Sequence, residues 1–400
     1  MNETALLQIL SAFVNGTAPE IRELDDIGGL FGKAYAHNVQ PIIAYMNSKY
    51  HFVADRAVDE KLTELLYRTI YISANRFADF ESLSQRLSEE GIAHMPVKGW
   101  YIKELYPIPE LRTFGDIDIL IRREDRERSN SLMLQSGYTA KQDWEPSFSY
   151  QKGNEYYELH TELIDAELNS APGLADYFSK AWDYAVGDGG ERYRLRPEYH
   201  FIYIVCHLAK HLYTSGAGIR MYLDIALALK KKSGELDFEF IRCEFERLGL
   251  GKFYATVVAS VNDWFGIGVD VGTELIDKSV TDRLLGYTLD SDLFGKSRDH
   301  TLITLRNTEL TKGEVIRRAL FPDAQTLEKR YTFVKGRKWL VPAAWAMRVF
   351  KNSGRINSKL SDIKKLSEAD YDDVDDYKPF HLVGRAVNKE RRSKYGREKD

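Results

Sequence analysis

The feature that most constrains this chain is a short run in which acidic and apolar residues alternate. Residues 116–121 read Asp-Ile-Asp-Ile-Leu-Ile. A period of two is typical of a β-strand with one face against the core. Because aspartate is a poor strand former, two of them in one strand need a reason. We expect Asp116 and Asp118 to project side by side from the same face of this strand.

Two neighbouring carboxylates repel each other, and partial burial raises the cost of keeping both charged. A divalent cation removes both penalties, and oxygen ligands suit magnesium. The Asp116 and Asp118 pair therefore predicts a magnesium site. The plain alternative is an exposed strand edge that merely carries two acids, since Asp-x-Asp is a common pattern.

A possible phosphate-binding turn lies upstream of the acidic strand. Ile92–Val97 is short and apolar, Lys98-Gly99 follows it, and a helix is predicted over Trp100–Leu105. Glycine lets backbone N–H groups approach a phosphate, a helix N-terminus favours an anion, and Lys98 adds a positive charge. The alternative is an ordinary tight turn between a strand and a helix.

A predicted hairpin lies downstream of the acidic strand. Phe148–Gln151 and Tyr156–Thr161 have strand-like patterns and flank the turn sequence Lys152-Gly153-Asn154. Glu158 and His160 are two residues apart, so they share one face of the second strand. Glu158 would then complete a three-carboxylate cluster, whereas the alternative is a solvated hairpin.

These elements predict an α+β fold, with a small mixed-sheet core between two helical regions. The periodicity divides the chain into a helical region at 1–90, the α+β core at 91–165, a second helical region at 166–360 and a charged, mobile tail at 361–400.

The second helical region offers further polar candidates. His200, His207 and His211 fall on one stripe of a predicted helix, where His207 and His211 could bind zinc, line a cleft or pack as neutral core histidines. Arg220 and Asp224 are four residues apart and could pair across one helical turn. Arg220 could equally bind a phosphate.

Composition limits the functions that this chain can have. A formal net charge of −4 gives no general reason to expect nucleic acid as a partner. Cys206 and Cys243 are the only cysteines, which suits a reducing compartment. No secretory signal or membrane-spanning segment is evident, so we expect a cytoplasmic protein.

The motifs together resemble a known family. The uncharacterised bacterial nucleotidyltransferases of the DNA polymerase β-like superfamily have similar motifs to Val97-Lys98-Gly99, Leu105-Tyr106-Pro107, Leu111-Arg112, Gly115-Asp116-Ile117-Asp118-Ile119-Leu120 and Glu158-Leu159-His160. Weaker similarity on both sides extends the resemblance over most of residues 1–360, but not over the tail.

The resemblance implies a magnesium-dependent transfer of a nucleoside monophosphate from a nucleoside triphosphate to an acceptor hydroxyl, with release of pyrophosphate. Two magnesium ions are expected on Asp116, Asp118 and Glu158, and Glu158 would also help to take the acceptor's proton. The nucleotide-binding residues expected from the turn, from the charged side chains and from the resemblance are Lys98, Gly99, Arg112, His160 and Arg220.

The chain departs from the superfamily pattern at the phosphate turn. Lys98-Gly99-Trp100 stands where Gly-Ser is usual, and the interval from Gly99 to Asp116 is longer. The acceptor stays open among a sugar, another small molecule, a protein hydroxyl and an RNA end. The alternative function is a catalytically inactive nucleotide-binding or protein-interaction module on the same fold.

Overall fold

The computed structural model describes the chain from residue 2 to 351 with gaps. The described residues are 2–21, 24, 26–144, 146–164, 173–214, 216–290, 327, 334 and 336–351. The predicted tail at 361–400 lies outside them. In the described part of the chain, no helix combines the length and the apolar character needed to cross a membrane.

Helices form most of the described chain on either side of a sheet. They are α1 (Asn2–Asn15), α2 (Ile27–Ala36), α3 (Gln40–Tyr50), α4 (Arg56–Glu89), α5 (Gly99–Ile102), α6 (Arg126–Gln135), α7 (Leu174–Phe178), α8 (Pro197–Thr214), α9 (Ile219–Lys232), α10 (Phe238–Arg247), α11 (Gly251–Phe265), α12 (Lys278–Asp290) and α13 (Val341–Lys351). Short 3₁₀ turns extend several of them, including Lys103–Leu105 after α5.

The strands of the described residues form one five-stranded sheet and one small hairpin. The strands are β1 (His94–Pro96), β2 (Ile117–Ile121), β3 (Thr139–Trp144), β4 (Ser147–Lys152), β5 (Glu155–His160), β6 (Ala185–Gly187) and β7 (Tyr193–Leu195). The order in the larger sheet is β1-β2-β5-β4-β3. Strands β2 and β5 run parallel, and the other neighbours are antiparallel. The predicted α+β fold with a mixed sheet is therefore confirmed.

Local sequence signals explain most of these elements. The long helix α4 begins after Asp55, whose side chain accepts hydrogen bonds from the backbone N–H groups of Ala57 and Val58. The sequence predicts helix over residues 30–46 with an interruption near Pro41, and the structure has two helices there, α2 and α3, with Pro41 in the first turn of α3. The β4–β5 hairpin turns at Gly153, whose φ of 57° favours glycine.

Strand β3 was missed by the sequence prediction. It reads Thr-Ala-Lys-Gln-Asp-Trp, without the apolar alternation that marks a half-buried strand. It lies at the edge of the sheet, paired only with β4 in the described structure. Pairing with the hairpin, rather than its own propensity, holds it in the strand conformation.

The sheet lies between two hydrophobic clusters, and this arrangement positions the site. Ile117, Ile119 and Ile121 of β2 pack with Phe80 and other residues of α4. Leu120 belongs instead to the large cluster formed by the helices on the other side. Because side chains alternate along a strand, Asp118 projects on the same side as Leu120. The acidic side chain therefore faces the helical layer.

The division of the chain into the four regions that the sequence predicts stays a prediction.

Candidate active site

The turn after β1 has a backbone conformation that is unusual for lysine. Lys98 has φ 51° and ψ −118°, and the N–H of Trp100 donates to the carbonyl of Val97 at 3.3 Å. These values match the first central position of a type II′ turn, where glycine is usual. Just before the turn, the N–H of Val97 donates to the carbonyl of Asp118 at 3.0 Å. The extension of β1 alongside β2 therefore fixes the turn beside the acidic strand.

Asp118 is the buried centre of a charged cluster. Its Oδ1 accepts hydrogen bonds from Lys98 Nζ and from His160 Nε2, the latter at 2.9 Å. His160 Nε2 also lies 3.4 Å from Glu158 Oε2. Asp118 is directly opposite Glu158 in the parallel β2–β5 register, so both side chains leave the same face of the sheet. The cluster therefore depends on the pairing of two strands that are far apart in sequence.

Asp118, Glu158 and His160 form a group that could hold a metal ion. Their candidate ligand atoms all lie within 4.8 Å of one another, and no other such group of three or more occurs among the described residues. Two carboxylates and one imidazole are acceptable ligands for a divalent cation, although magnesium prefers oxygen. Asp116 is not part of this group.

Asp116 lies just before β2, which begins one residue later than predicted. Its side chain lines the same pocket as Asp118. Burial and the nearby negative charge of Asp118 raise the pKa of Asp116 to about 6. The two aspartates thus differ electrostatically. Asp118 is in direct contact with Lys98 and His160, which stabilise its negative charge. The negative charge of Asp116 is instead destabilised by burial and by repulsion from Asp118.

The remaining pKa shifts follow from the same contacts. Burial opposes ionisation of Asp118, but the charge of Lys98 and the hydrogen bond from His160 hold the pKa of Asp118 well below its usual range. The hydrogen bond from His160 also lowers the pKa of Glu158. Burial favours neutral His160, yet its hydrogen bonds to Asp118 and Glu158 outweigh burial and raise the pKa of His160. In the metal-free protein, these contacts therefore favour the ionised form of both carboxylates and the protonated form of His160.

Arg112 joins the sheet to the helical layer. Its Nε donates to Asp224 Oδ1 at 3.1 Å and its Nη2 to Oδ2 at 2.8 Å. Tyr106 also donates to Asp224 Oδ1, at 2.8 Å. All three residues are buried. This bidentate clamp holds the third nitrogen, Nη1, against Gly99, where it would lie 2.0 Å from an added Cβ. Gly99 is thus required by this close side-chain contact, whereas the positive φ of the turn falls on Lys98.

Arg220 does not form the possible helical pair with Asp224, which binds Arg112 instead. The Nη1 of Arg220 instead donates to the carbonyl oxygen of Thr113 at 2.8 Å and to its hydroxyl at 2.9 Å. The Thr113 hydroxyl donates in turn to the carbonyl of Asn38 at 3.1 Å. Arg220 therefore fixes the segment that leads into Asp116.

A pocket of about 320 Å³ lies between the sheet and helices α8 and α9. The residues lining it include Lys98, Gly99, Arg112, Asp116, Asp118, His207, His211, Arg220, Met221 and Asp224. The turn, both aspartates and both arginines therefore meet at one cavity. Glu158 and His160 join it indirectly, through the contact of His160 with Asp118.

The histidine stripe lies mainly at the wall of this pocket. The Nε2 atoms of His207 and His211 are 3.0 Å apart, and both residues line the cavity. Burial lowers the pKa of both, that of His211 to about 4. They are neutral at pH 7, and one ring donates to the other. Within the described residues the pair belongs to no three-ligand metal group. This geometry fits a cleft wall better than a zinc site.

The sequence of residues 25–266 matches the model of a family described as uncharacterised nucleotidyltransferase. The matched segment contains the turn, the acidic strand, the hairpin and the helices that close the pocket. The chain belongs to this nucleotidyltransferase family. Searches of curated proteins and of solved structures find no match.

Sequence reasoning missed two residues that shape the site. Asp224 was considered only as a partner of Arg220, and Tyr106 only as part of a motif. No local signal identifies the contact of Arg112 with Asp224, because these two residues are 112 positions apart in the chain.

Proposed function

We propose that this protein transfers a nucleoside monophosphate from a nucleoside triphosphate to an acceptor hydroxyl and releases pyrophosphate. One observation carries the proposal. A lysine-bearing turn, two aspartates and a clamped arginine all line one pocket, in a chain that belongs to a nucleotidyltransferase family. Cations and a glycine turn suit the triphosphate, and adjacent carboxylates suit its metal ions.

The donor set fits divalent metal binding. We propose that Asp118 and Glu158 hold magnesium with help from Asp116, following the two-ion arrangement that the family resemblance implies. The compact group formed by Asp118, Glu158 and His160 supports this assignment. When bound, the ions would neutralise charge on the attacking and leaving oxygens. A bound cation would also relieve the repulsion that raises the pKa of Asp116.

The protein's own residues supply binding and proton transfer. Lys98 and Arg112 Nη1 flank Gly99 and would bind the phosphates, and His160 would be a further contact with the nucleotide. In the reaction, the acceptor oxygen forms a bond to the α-phosphorus. The bond from that phosphorus to the oxygen that bridges the α- and β-phosphates breaks, and pyrophosphate leaves with that oxygen. We propose that Glu158 accepts the proton of the acceptor hydroxyl, with His160 holding its carboxylate by a hydrogen bond.

The main alternative is a nucleotide-binding or protein-interaction module without turnover. Incubation with magnesium and each labelled nucleoside triphosphate, followed by measurement of pyrophosphate release and of bound label, separates these functions. A catalyst releases pyrophosphate, faster when an acceptor is added. An inactive nucleotide-binding module retains the labelled nucleotide without releasing pyrophosphate. A protein-interaction module binds no labelled nucleotide.

Variants link the activity to the site. Asp118→Asn and Asp116→Ala are both expected to abolish magnesium-dependent release while the protein stays folded, because the metal ligands are lost. Asp282→Asn is a matched control, since Asp282 lies on α12 and contacts Lys278 rather than the pocket. Normal turnover in either site variant would show that the site is misassigned.

A cytoplasmic location also remains our proposal, supported by two unpaired cysteines.

A further inference from the structure

Three cationic side chains line the pocket, and they differ in how their charge is balanced. Lys98 contacts Asp118, and Arg112 forms a bidentate pair with Asp224. Arg220 is different. Its hydrogen bonds go to the neutral carbonyl and hydroxyl of Thr113, and no carboxylate in the described part of the chain lies within ion-pair distance of it.

The unbalanced charge of Arg220 is costly for the protein. Its Nε is buried without a hydrogen-bond partner. Burial and the charge of neighbouring Arg112 also lower the pKa of Arg220, and they outweigh the more distant attraction of Asp224 and Asp116. A buried charge that lacks a counter-ion destabilises the fold, so it needs a reason other than packing. Thr113 holds Nη1, and no described residue accepts a hydrogen bond from Nη2.

The position of Arg220 separates it from the phosphate turn. Lys98, Gly99 and Arg112 Nη1 lie together at the end of β1. Arg220 lies in the first turn of α9, beside Met221 on the helical wall of the pocket. That wall also carries the neutral His207–His211 pair, which adds no charge to balance the guanidinium. The proposed function uses the cationic groups at the turn for the triphosphate, and Arg220 lies outside that group.

We propose that Arg220 binds a phosphate or carboxylate group of the acceptor, so that the acceptor is an anionic hydroxyl compound. A guanidinium can donate two parallel hydrogen bonds to two oxygens of a phosphate or a carboxylate, and it stays charged in a partly buried site. This assignment rests on the proposed function, because it names the second substrate of the same pocket. Binding of the acceptor would provide a counter-ion in direct contact with Arg220, which no described residue supplies.

Inorganic phosphate is a direct probe of this subsite. We expect the full chain to bind phosphate in a ³¹P NMR titration, both alone and when saturated with magnesium and a non-hydrolysable α,β-methylene nucleoside triphosphate. Displacement of phosphate by the nucleotide analogue would assign Arg220 to the nucleotide and overturn the proposal. So would the absence of phosphate binding. This test on the unaltered protein needs no variant to fold.

Variants identify the residue responsible. Arg220→Gln removes the charge but keeps an amide donor for Thr113, and we expect it to weaken phosphate binding at least about tenfold. Arg220→Lys should weaken it less, because the charge remains. Arg56→Gln is the matched control, since Arg56 is exposed on α4 and pairs only with Glu60 in the described structure. Equal phosphate affinity in Arg220→Gln would refute the proposal. Pyrophosphate release is a separate measurement, so failure of the proposed function would be recognised independently.

Discussion

Replacing Lys98 by glycine and by alanine separates the two roles that the structure gives this residue. Its side chain contacts buried Asp118, and its backbone has the positive φ of 51°. Both substitutions remove the ammonium group. Only glycine adopts the backbone conformation without strain, because it has no Cβ. A lysine in this conformation is consistent with a functional constraint on the side chain.

The expected magnitudes follow from these contacts. Removing one partner of a buried ion pair costs about 3–5 kcal/mol. We expect less here, about 2–3 kcal/mol, because the Lys98 side chain is 22% exposed and His160 still donates to Asp118. The glycine-type backbone conformation strains alanine by about 1–3 kcal/mol and does not strain glycine. Glycine has more conformational freedom in the unfolded chain, which reduces this advantage by about 0.5–1 kcal/mol. Lys98→Gly should therefore be more stable than Lys98→Ala by about 1 kcal/mol.

Urea unfolding in the presence of EDTA measures this difference without contributions from bound metal. Nucleotide affinity provides the second measurement. Both variants should bind triphosphate more weakly by about 1.5–3 kcal/mol, since both lose one charged contact to phosphate. Equal stability of the two variants would refute the argument for backbone strain. Unchanged nucleotide affinity in both would place the triphosphate away from Lys98.

Three further predictions test the rest of the site. Gly99→Ala should destabilise the protein by about 1–3 kcal/mol through its clash with Arg112, and the cost should shrink when combined with Arg112→Ala in a double-mutant cycle measured by urea unfolding. The folded-state pKa of Asp116 is raised from 3.8 to about 6, so its charge destabilises the metal-free protein fully above pH 6 and not below pH 3.8. Asp116→Asn should therefore raise the free energy of unfolding at pH 7.5 but not at pH 4. Equal effects at both pH values in urea unfolding would contradict a raised pKa. Glu158→Gln should reduce turnover strongly while nucleotide binding stays nearly normal, and His160→Ala should be milder; the reverse order of turnover would assign the proton-accepting role to His160.

The sequence by itself determined the elements that carry the site. The alternation at 116–121 specified a strand, and Lys98-Gly99 specified a turn before a short helix. The hairpin that places Glu158 and His160 on one face was also evident, since its turn and its period are local signals. These features depend on backbone conformations that a few adjacent residues decide. Local patterning was therefore enough to predict an α+β core and its acidic strand.

The tertiary structure alone decided which charges meet. The parallel pairing of β2 with β5 set Asp118 opposite Glu158, and a shift of one residue would have turned these side chains to opposite faces. Asp224 could have paired with Arg220 on its own helix, yet the fold brings Arg112 to it and leaves Arg220 without a carboxylate partner among the described residues. Helical spacing makes such a pair possible but stabilises it only by about 0.2–0.5 kcal/mol. Burial of the bidentate Arg112 pair outweighs so weak a local preference, and sequence spacing contains no information about that burial.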